Sequence, residues 1–204
     1  METNMTTAHR ISRDSLLTLE AYARARPAMR AEVMEQKKLR RVFLGEHLLL
    51  IFENELMIRY HIQEMLRVEK MFEEDAIRHE LETYAPLVPD GSNFKVTLQV
   101  EYAEETERHR MLGLLRGVEN RVWVRVDGFD PVFAIADEDL ERETEEKTSA
   151  VHFLRFELNP AMVAAVRAGA ALAAGVDHPH YEASTEPLPE AVRASLAADL
   201  ANAN

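Results

Sequence analysis

Phe94-Lys95-Val96-Thr97-Leu98-Gln99-Val100-Glu101-Tyr102 is the stretch on which the fold turns. Successive side chains of a β-strand point to opposite faces, so Phe94, Val96, Leu98, Val100 and Tyr102 share one apolar face. Lys95, Thr97, Gln99 and Glu101 share the other. The first face predicts contact with a core, the second with water or a polar site. Just upstream, Pro86, Pro89, Asp90, Gly91, Ser92 and Asn93 form the strongest turn cluster in the chain, so this strand begins after a sharp interruption.

Further upstream, Arg41 to Leu44, a Gly-Glu-His turn and Leu48 to Glu53 read as a hairpin. Its second strand is apolar on both faces and is therefore expected at the centre of a sheet. Downstream, Val122 to Val126 and Val132 to Ala136 flank Asp127-Gly128-Phe129-Asp130-Pro131 as a second hairpin, and Ala150 to Leu158 is the last strand candidate. Helices are predicted from Ser12 or Asp14 to about Arg26, from Pro27 to about Lys38, over 56–72, and from Glu74 to Tyr84. Others are predicted from Glu104 to Arg116, over the alanine-rich Ala161 to Ala174, and from Pro189 to Leu200, where Val192, Leu196 and Leu200 share a face.

These elements predict an α+β fold: a largely antiparallel sheet of about six strands with helices packed against it and helical N- and C-terminal segments. The expected organisation is a disordered N-terminus over 1–11, a single α+β domain over 12–181, and a C-terminal loop with a short docked helix over 182–204. No internal repeat of ~20–50 residues and no Gly/Ser linker divides the chain.

A chain of 204 residues, 47% hydrophobic and 29% charged, is long enough to bury roughly 70% of its unfolded surface. Cysteine is absent, which excludes disulfides, thiolate metal ligands and cysteine nucleophiles. The start lacks a basic region followed by an apolar stretch, so the expected location is the cytoplasm. The longest apolar runs fall far short of the ~20 residues that cross a bilayer, and no membrane association is expected.

The net charge of −12 is unevenly spread: residues 1–41 hold nine Lys/Arg against five Asp/Glu, leaving 15 basic and 31 acidic residues in the remainder. The basic N-terminal part suits the protein's own acidic surface or an acidic partner, while the overall charge disfavours nucleic acid. The acidic run Asp137 to Glu146 can be a solvated segment, or can receive the basic helices of a second copy in a homodimer.

Ile58 to Phe72 carries the densest mixture of core and polar groups. Ile58, Ile62, Met65, Leu66 and Phe72 fall near one face of an approximately 3.6-residue period. Arg59, Gln63 and Arg67 lie four apart on a neighbouring face, and His61 and Glu64 are three apart. Arg40, Arg41, Arg59 and Arg67 lie on or beside elements that read as core, so each needs a carboxylate, carbonyl or anionic ligand. Glu53, Glu64 and Glu69 are the candidate internal partners. His61 and Glu64 could share a metal with Glu53, His152 or His178, but the Glu-x-x-His order of di-iron bundles is reversed and unrepeated. Asp177-His178-Pro179-His180 sets two imidazoles on a proline-restricted loop, as a metal or general-base site or as surface packing. No cofactor or metal is assigned.

Lys37-Lys38-Leu39-Arg40-Arg41-Val42 with Leu44-Gly45, Tyr60 to Arg67, Pro89 to Asn93, Glu146 to Phe156 and Asp177-His178-Pro179 together resemble the uncharacterised bacterial family known as domain of unknown function 3501. The resemblance spans about Ser12 to Tyr181 and implies no catalytic residues. It does imply gene company with rubrerythrin-like di-iron proteins and iron–sulfur oxidoreductases, hence an accessory protein that binds a redox partner or assists its assembly. The rival expectation is an enzyme or small-molecule binder. Its pocket would use Arg67, Gln63, Glu64 and His61 to hold an anion or metal, within a wider ligand-binding or polar-network set that adds Arg40, Arg41, Arg59, His152, Arg155 and His178.

Overall fold

The computed structural model describes residues 11–136 and 147–200. It is α+β, with eight strands in two antiparallel four-stranded sheets. The first sheet runs in the order β1 (Arg41–Leu44), β2 (Leu48–Phe52), β3 (Asn93–Val100), β6 (Val151–Glu157). The second runs β5 (Val132–Phe133), β4 (Val122–Val126), β7 (Leu172–His178), β8 (Tyr181–Thr185). The apolar β2 is central, as expected, pairing with β1 through Val42↔Leu50 and with β3 through Leu50↔Leu98.

Two strands were not anticipated, and they turn the expected single sheet of six into two sheets. The alanine-rich helix is short: α5 covers Pro160–Arg167, Gly169 follows at φ +102°, and Leu172–His178 becomes β7. Alanine's helix propensity is a weak preference that packing overrides. The small Gly175 lies directly opposite Trp123, where an added Cβ would come within 2.2 Å of the indole Cζ2, so only glycine lets the two strands pair there. The other strand, β8, is the edge partner of β7 and alternates between half-buried and exposed positions, a faint pattern among prolines. The expected boundary at 181/182 therefore falls within β8.

Register explains the packing. Even-numbered residues of the first sheet, including Leu44, Leu48, Leu50, Phe52, Phe94, Val96, Leu98, Leu154 and Phe156, join Val122, Val124, Val126, Ala174 and Val176 of the second sheet in one core. Val192, Leu196 and Leu200, on or just beyond helix α6 (Glu190–Ala197), are buried in that core as predicted. The sheets also meet at their edges. Ile135 bridges Arg155, Tyr181 Oη donates to the Leu44 carbonyl at 2.8 Å, and Thr185 Oγ1 donates to that of Phe43 at 2.7 Å.

The odd-numbered face of the first sheet is covered by α1 (Leu19–Lys38) and α2 (Glu55–Val68) through Tyr22, Val33, Leu49, Ile51, Met57 and Tyr60. Pro27 does not divide α1: it is exposed, so the hydrogen bond it cannot make lies on the solvent side. The chain before α1 forms a 3-10 turn at Arg13–Ser15, and Thr18 rather than Ser12 or Asp14 caps α1. Asn54 caps α2, accepting the Met57 amide at 2.9 Å. Helix α2 ends at Val68 and Lys70 takes φ +54°, so Phe72 leaves the predicted apolar face and is 69% exposed. Helices α3 (Glu74–Tyr84) and α4 (Glu105–Leu114) complete the set. No helix among the described residues is long and apolar enough to cross a membrane. The acidic run at 137–146 and all but the last residue of the N-terminal segment lie outside the described residues.

Candidate ligand cavity

A cavity of about 350 Å³ lies between the odd face of the first sheet and the helices over it. Its floor follows from strand register: Ile51, Thr97 and Phe153 stand in one row across β2, β3 and β6, with Gln99 and Val151 in the next and Glu53 just beyond β2. Lys37 from the last turn of α1, Met57, Tyr60, His61 and Glu64 from α2, and Tyr84 with Leu87 complete the walls. The polar face of the Phe94–Tyr102 alternation thus meets a polar site rather than open water: Lys95 and Thr97 are buried.

Glu53 accepts a hydrogen bond on Oε1 from Thr97 Oγ1 at 2.7 Å. Burial raises its carboxyl above the usual carboxylate range, against the opposing pull of the Thr97 hydroxyl and the charges of Lys37 and Arg40. His61 stacks edge-on to Tyr84 with centroids 4.5 Å apart, and its pKa is lowered by desolvation and then by the Lys37 charge. Among the described residues, the Lys37 ammonium, the His61 ring nitrogens and the Gln99 amide make no hydrogen bond or ion pair. Polar groups left open at the wall of a concave site are available to a ligand.

Glu64, at the rim, is occupied. Arg26 grips it with Nε at 2.7 Å and Nη2 at 2.8 Å, Tyr22 Oη donates at 2.7 Å, and Arg67 reaches it at 3.2 and 3.3 Å. The Arg26 guanidinium holds the Glu64 carboxyl far below the ordinary carboxylate range, with Arg67 and Tyr22 assisting. His61 and Glu64 do line one cavity, as their spacing suggested, but Glu64 has no lone pairs to spare for a metal. No group of three His, Asp or Glu side chains among the described residues is placed to hold one.

The remaining predicted residues do not converge on the cavity. Of the four arginines assigned to core-like elements, only Arg40 is buried, at 1% exposure. Its Nε donates to the Phe52 carbonyl at 2.8 Å, Nη2 to the Glu53 carbonyl at 3.1 Å, and Nη1 to Ser195 O and Oγ at 3.2 and 3.1 Å. Its ionic partner is Asp199, not Glu53, Glu64 or Glu69. Arg41 is exposed on the edge strand, its guanidinium 5.4 Å from the Phe43 ring. Arg59 pairs with Glu55 one turn away, and Arg67 is exposed.

Gln63 is buried, accepting the Leu17 amide at 2.6 Å and donating to the Leu17 carbonyl at 3.3 Å, so it staples the segment before α1 to α2. His152 is buried beside Thr148 Oγ1 and the Ser149 carbonyl at 3.0 and 3.1 Å, and Arg155 pairs with Glu157. His178 lies at the end of β7, not on an irregular loop. Its Nδ1 accepts the His180 amide at 3.2 Å while Nε2 meets the Arg116 carbonyl at 2.9 Å, so both ring nitrogens are engaged by backbone groups and the imidazole is structural.

Lys37, Thr97, Gln99, Tyr60 and Tyr84 were missed as site residues, and Glu53 was weighed only as an ion-pair or metal partner. The available signal was the polar half of the β3 alternation together with a glutamate directly after a doubly apolar strand.

Fold and cavity define an α+β protein of two antiparallel sheets with a ligand-sized space beneath α1 and α2. The chain belongs to the family described as protein of unknown function (DUF3501), which matches residues 10–200. It is similar to a solved structure described as a novel protein of unknown function from Burkholderia pseudomallei K96243. The two share 59% identity and a TM-score of 0.88, over 94% of this chain and 99% of that one. No curated protein matches the chain.

Proposed function

We propose that this protein binds a small organic anion in the cavity between β2-β3-β6 and helices α1 and α2. The carrying observation is Lys37, a cation without a hydrogen-bonded or ionic partner among the described residues, facing a space at the small end of the ~300–1,000 Å³ range of ligand sites. Gln99 and His61 offer hydrogen bonds beside it, and Tyr60, Tyr84 and Phe153 offer apolar and aromatic surface for the body of the ligand. The test is a thermal-shift screen of organic carboxylates, sulfonates and phosphates. A ligand at 100 times its dissociation constant stabilises by about 2.7 kcal/mol, or roughly 5–11 °C for a chain of this size. Lys37→Met should abolish the shift. No shift with any organic anion removes the reading.

Docking to a rubrerythrin-like di-iron protein or an iron–sulfur oxidoreductase in the cytoplasm rests on the gene company that the family resemblance implies, and on no side chain described above. Recovery of such a partner with a tagged copy from its native cell under gentle crosslinking supports that proposal; recovery of none counts against it.

A further inference from the structure

We infer that the cavity takes a monocarboxylate together with one proton: the ligand's carboxylate pairs with Lys37 and accepts a hydrogen bond from the protonated carboxyl of Glu53. This deepens the proposal of an organic-anion site and rests on it. Glu53 is fixed at one end only. Thr97 Oγ1 holds its Oε1 at 2.7 Å, and no described group donates to its Oε2. Lys37 lies close enough for its charge to act on both Glu53 and His61, yet it forms an ion pair with neither acidic side chain of the cavity. An anion seated on Lys37 therefore enters beside a second carboxyl, and two carboxylates in one desolvated site retain a shared proton rather than both ionise.

The charge count selects the class of ligand. Arg26 and Arg67 are committed to Glu64, and Arg40 to Asp199 and three backbone carbonyls. Among the described residues that line the cavity, Lys37 is the basic side chain left to neutralise the ligand, which suits a monoanion and leaves a dianionic phosphate short of one cation. The charged and titratable groups around Glu53 are Lys37 from α1, Arg40 on its own carbonyl, Lys95 from β3 whose carbonyl takes its amide, and Tyr60, His61, Glu64 and Tyr84 of the cavity walls. Burial already favours the protonated form of Glu53, and His61 is held toward its neutral form, so Glu53 is the group whose proton responds to the ligand.

The experiment measures binding of 3-phenylpropanoate and benzoate to the full chain by calorimetry from about pH 6 to about pH 9, a range in which an ordinary lysine stays charged. Each is run in buffers of low and high ionisation enthalpy, for the wild type and for Glu53→Gln. The wild type should take up protons on binding and lose affinity on the alkaline limb, approaching about tenfold per pH unit. E53Q, a neutral donor at every pH, should bind with no proton uptake and a flat profile. Binding by the wild type with no proton uptake in any buffer pair overturns this inference and leaves the organic-anion reading standing. Absence of binding of both probes to the wild type overturns this inference, and the organic-anion reading falls with it only when the thermal-shift screen also shows no shift with any organic anion. Should E53Q fail to fold, the proton uptake of the wild type decides alone.

Discussion

Leu98 and Thr97 are neighbours in β3, yet one has no exposed surface and lies among hydrocarbon from both sheets, while the other gives its hydroxyl to Glu53 beneath an open cavity. The same contrast runs across β2, where Leu50 faces the shared core and Ile51 the cavity. One sheet thus serves two purposes because a strand's side chains alternate. The even face is closed mainly by apolar residues of a second sheet, and stability resides there. The odd face is roofed by two helices that bring in Lys37, His61 and Glu64, and it keeps space and unspent polar groups.

The sharpest way to break this division is at Arg40, which ties the strand end at Phe52 and Glu53 to Ser195 and Asp199 near the C-terminus. Arg40→Met removes the guanidinium that pairs with Asp199 and binds several carbonyls, and it should cost about 3–5 kcal/mol in urea denaturation. A loss below about 1 kcal/mol would show that water replaces the guanidinium without penalty. Next comes the comparison itself. Leu98→Ala on the closed face should cost about 3 kcal/mol, whereas Gln99→Ala one position on should stay within about 0.5 kcal/mol. Equal costs would mean that the odd face is also a packed core.

Glu64 probes the rim of the open face. Its folded pKa is depressed, so its stabilising effect is present above the unfolded value and is lost as pH falls through the folded one. Glu64→Gln weakens contacts to Arg26, Tyr22 and Arg67 and should cost about 2 kcal/mol at pH 7. The gap to the wild type should narrow as pH drops below the ordinary carboxylate range. A gap that does not change with pH would assign the loss to packing rather than charge.

Much of the closed face was legible in the sequence, since alternation in Phe94–Tyr102 and a doubly apolar Leu48–Phe52 report burial directly. The same alternation marked the odd face as polar, and the His61/Glu64 spacing placed both on one wall. The cavity as a whole was not legible, because Lys37, Glu53 and Tyr84 come from separate elements and meet only through tertiary packing. The row Arg59, Gln63, Arg67 looked convergent at its four-residue spacing, but that row runs along the helix from a half-buried end through a buried glutamine to an exposed one. Helix propensity over Ala161–Ala174 likewise hid β7, whose Gly175 is set by the indole across the sheet.

The smallest effect has the most telling sign. Glu53 has a folded pKa above its unfolded value, so as pH rises past the unfolded value the denatured chain releases a proton that the native state still holds, and stability falls until the folded pKa is passed. Glu53→Gln is exempt from that loss while its amide oxygen can still accept from Thr97. The variant should therefore melt higher than the wild type at pH 7, by about 2–4 °C if the gain is near 1 kcal/mol, and should match it below the ordinary carboxylate range. A lower melting temperature for E53Q at pH 7 would mean that Glu53 is held as an anion by Lys37 and Arg40. The odd face would then be closed by its own ion pair, leaving Lys37 no charge to offer a ligand, and the contrast between the two faces would be one of polarity alone.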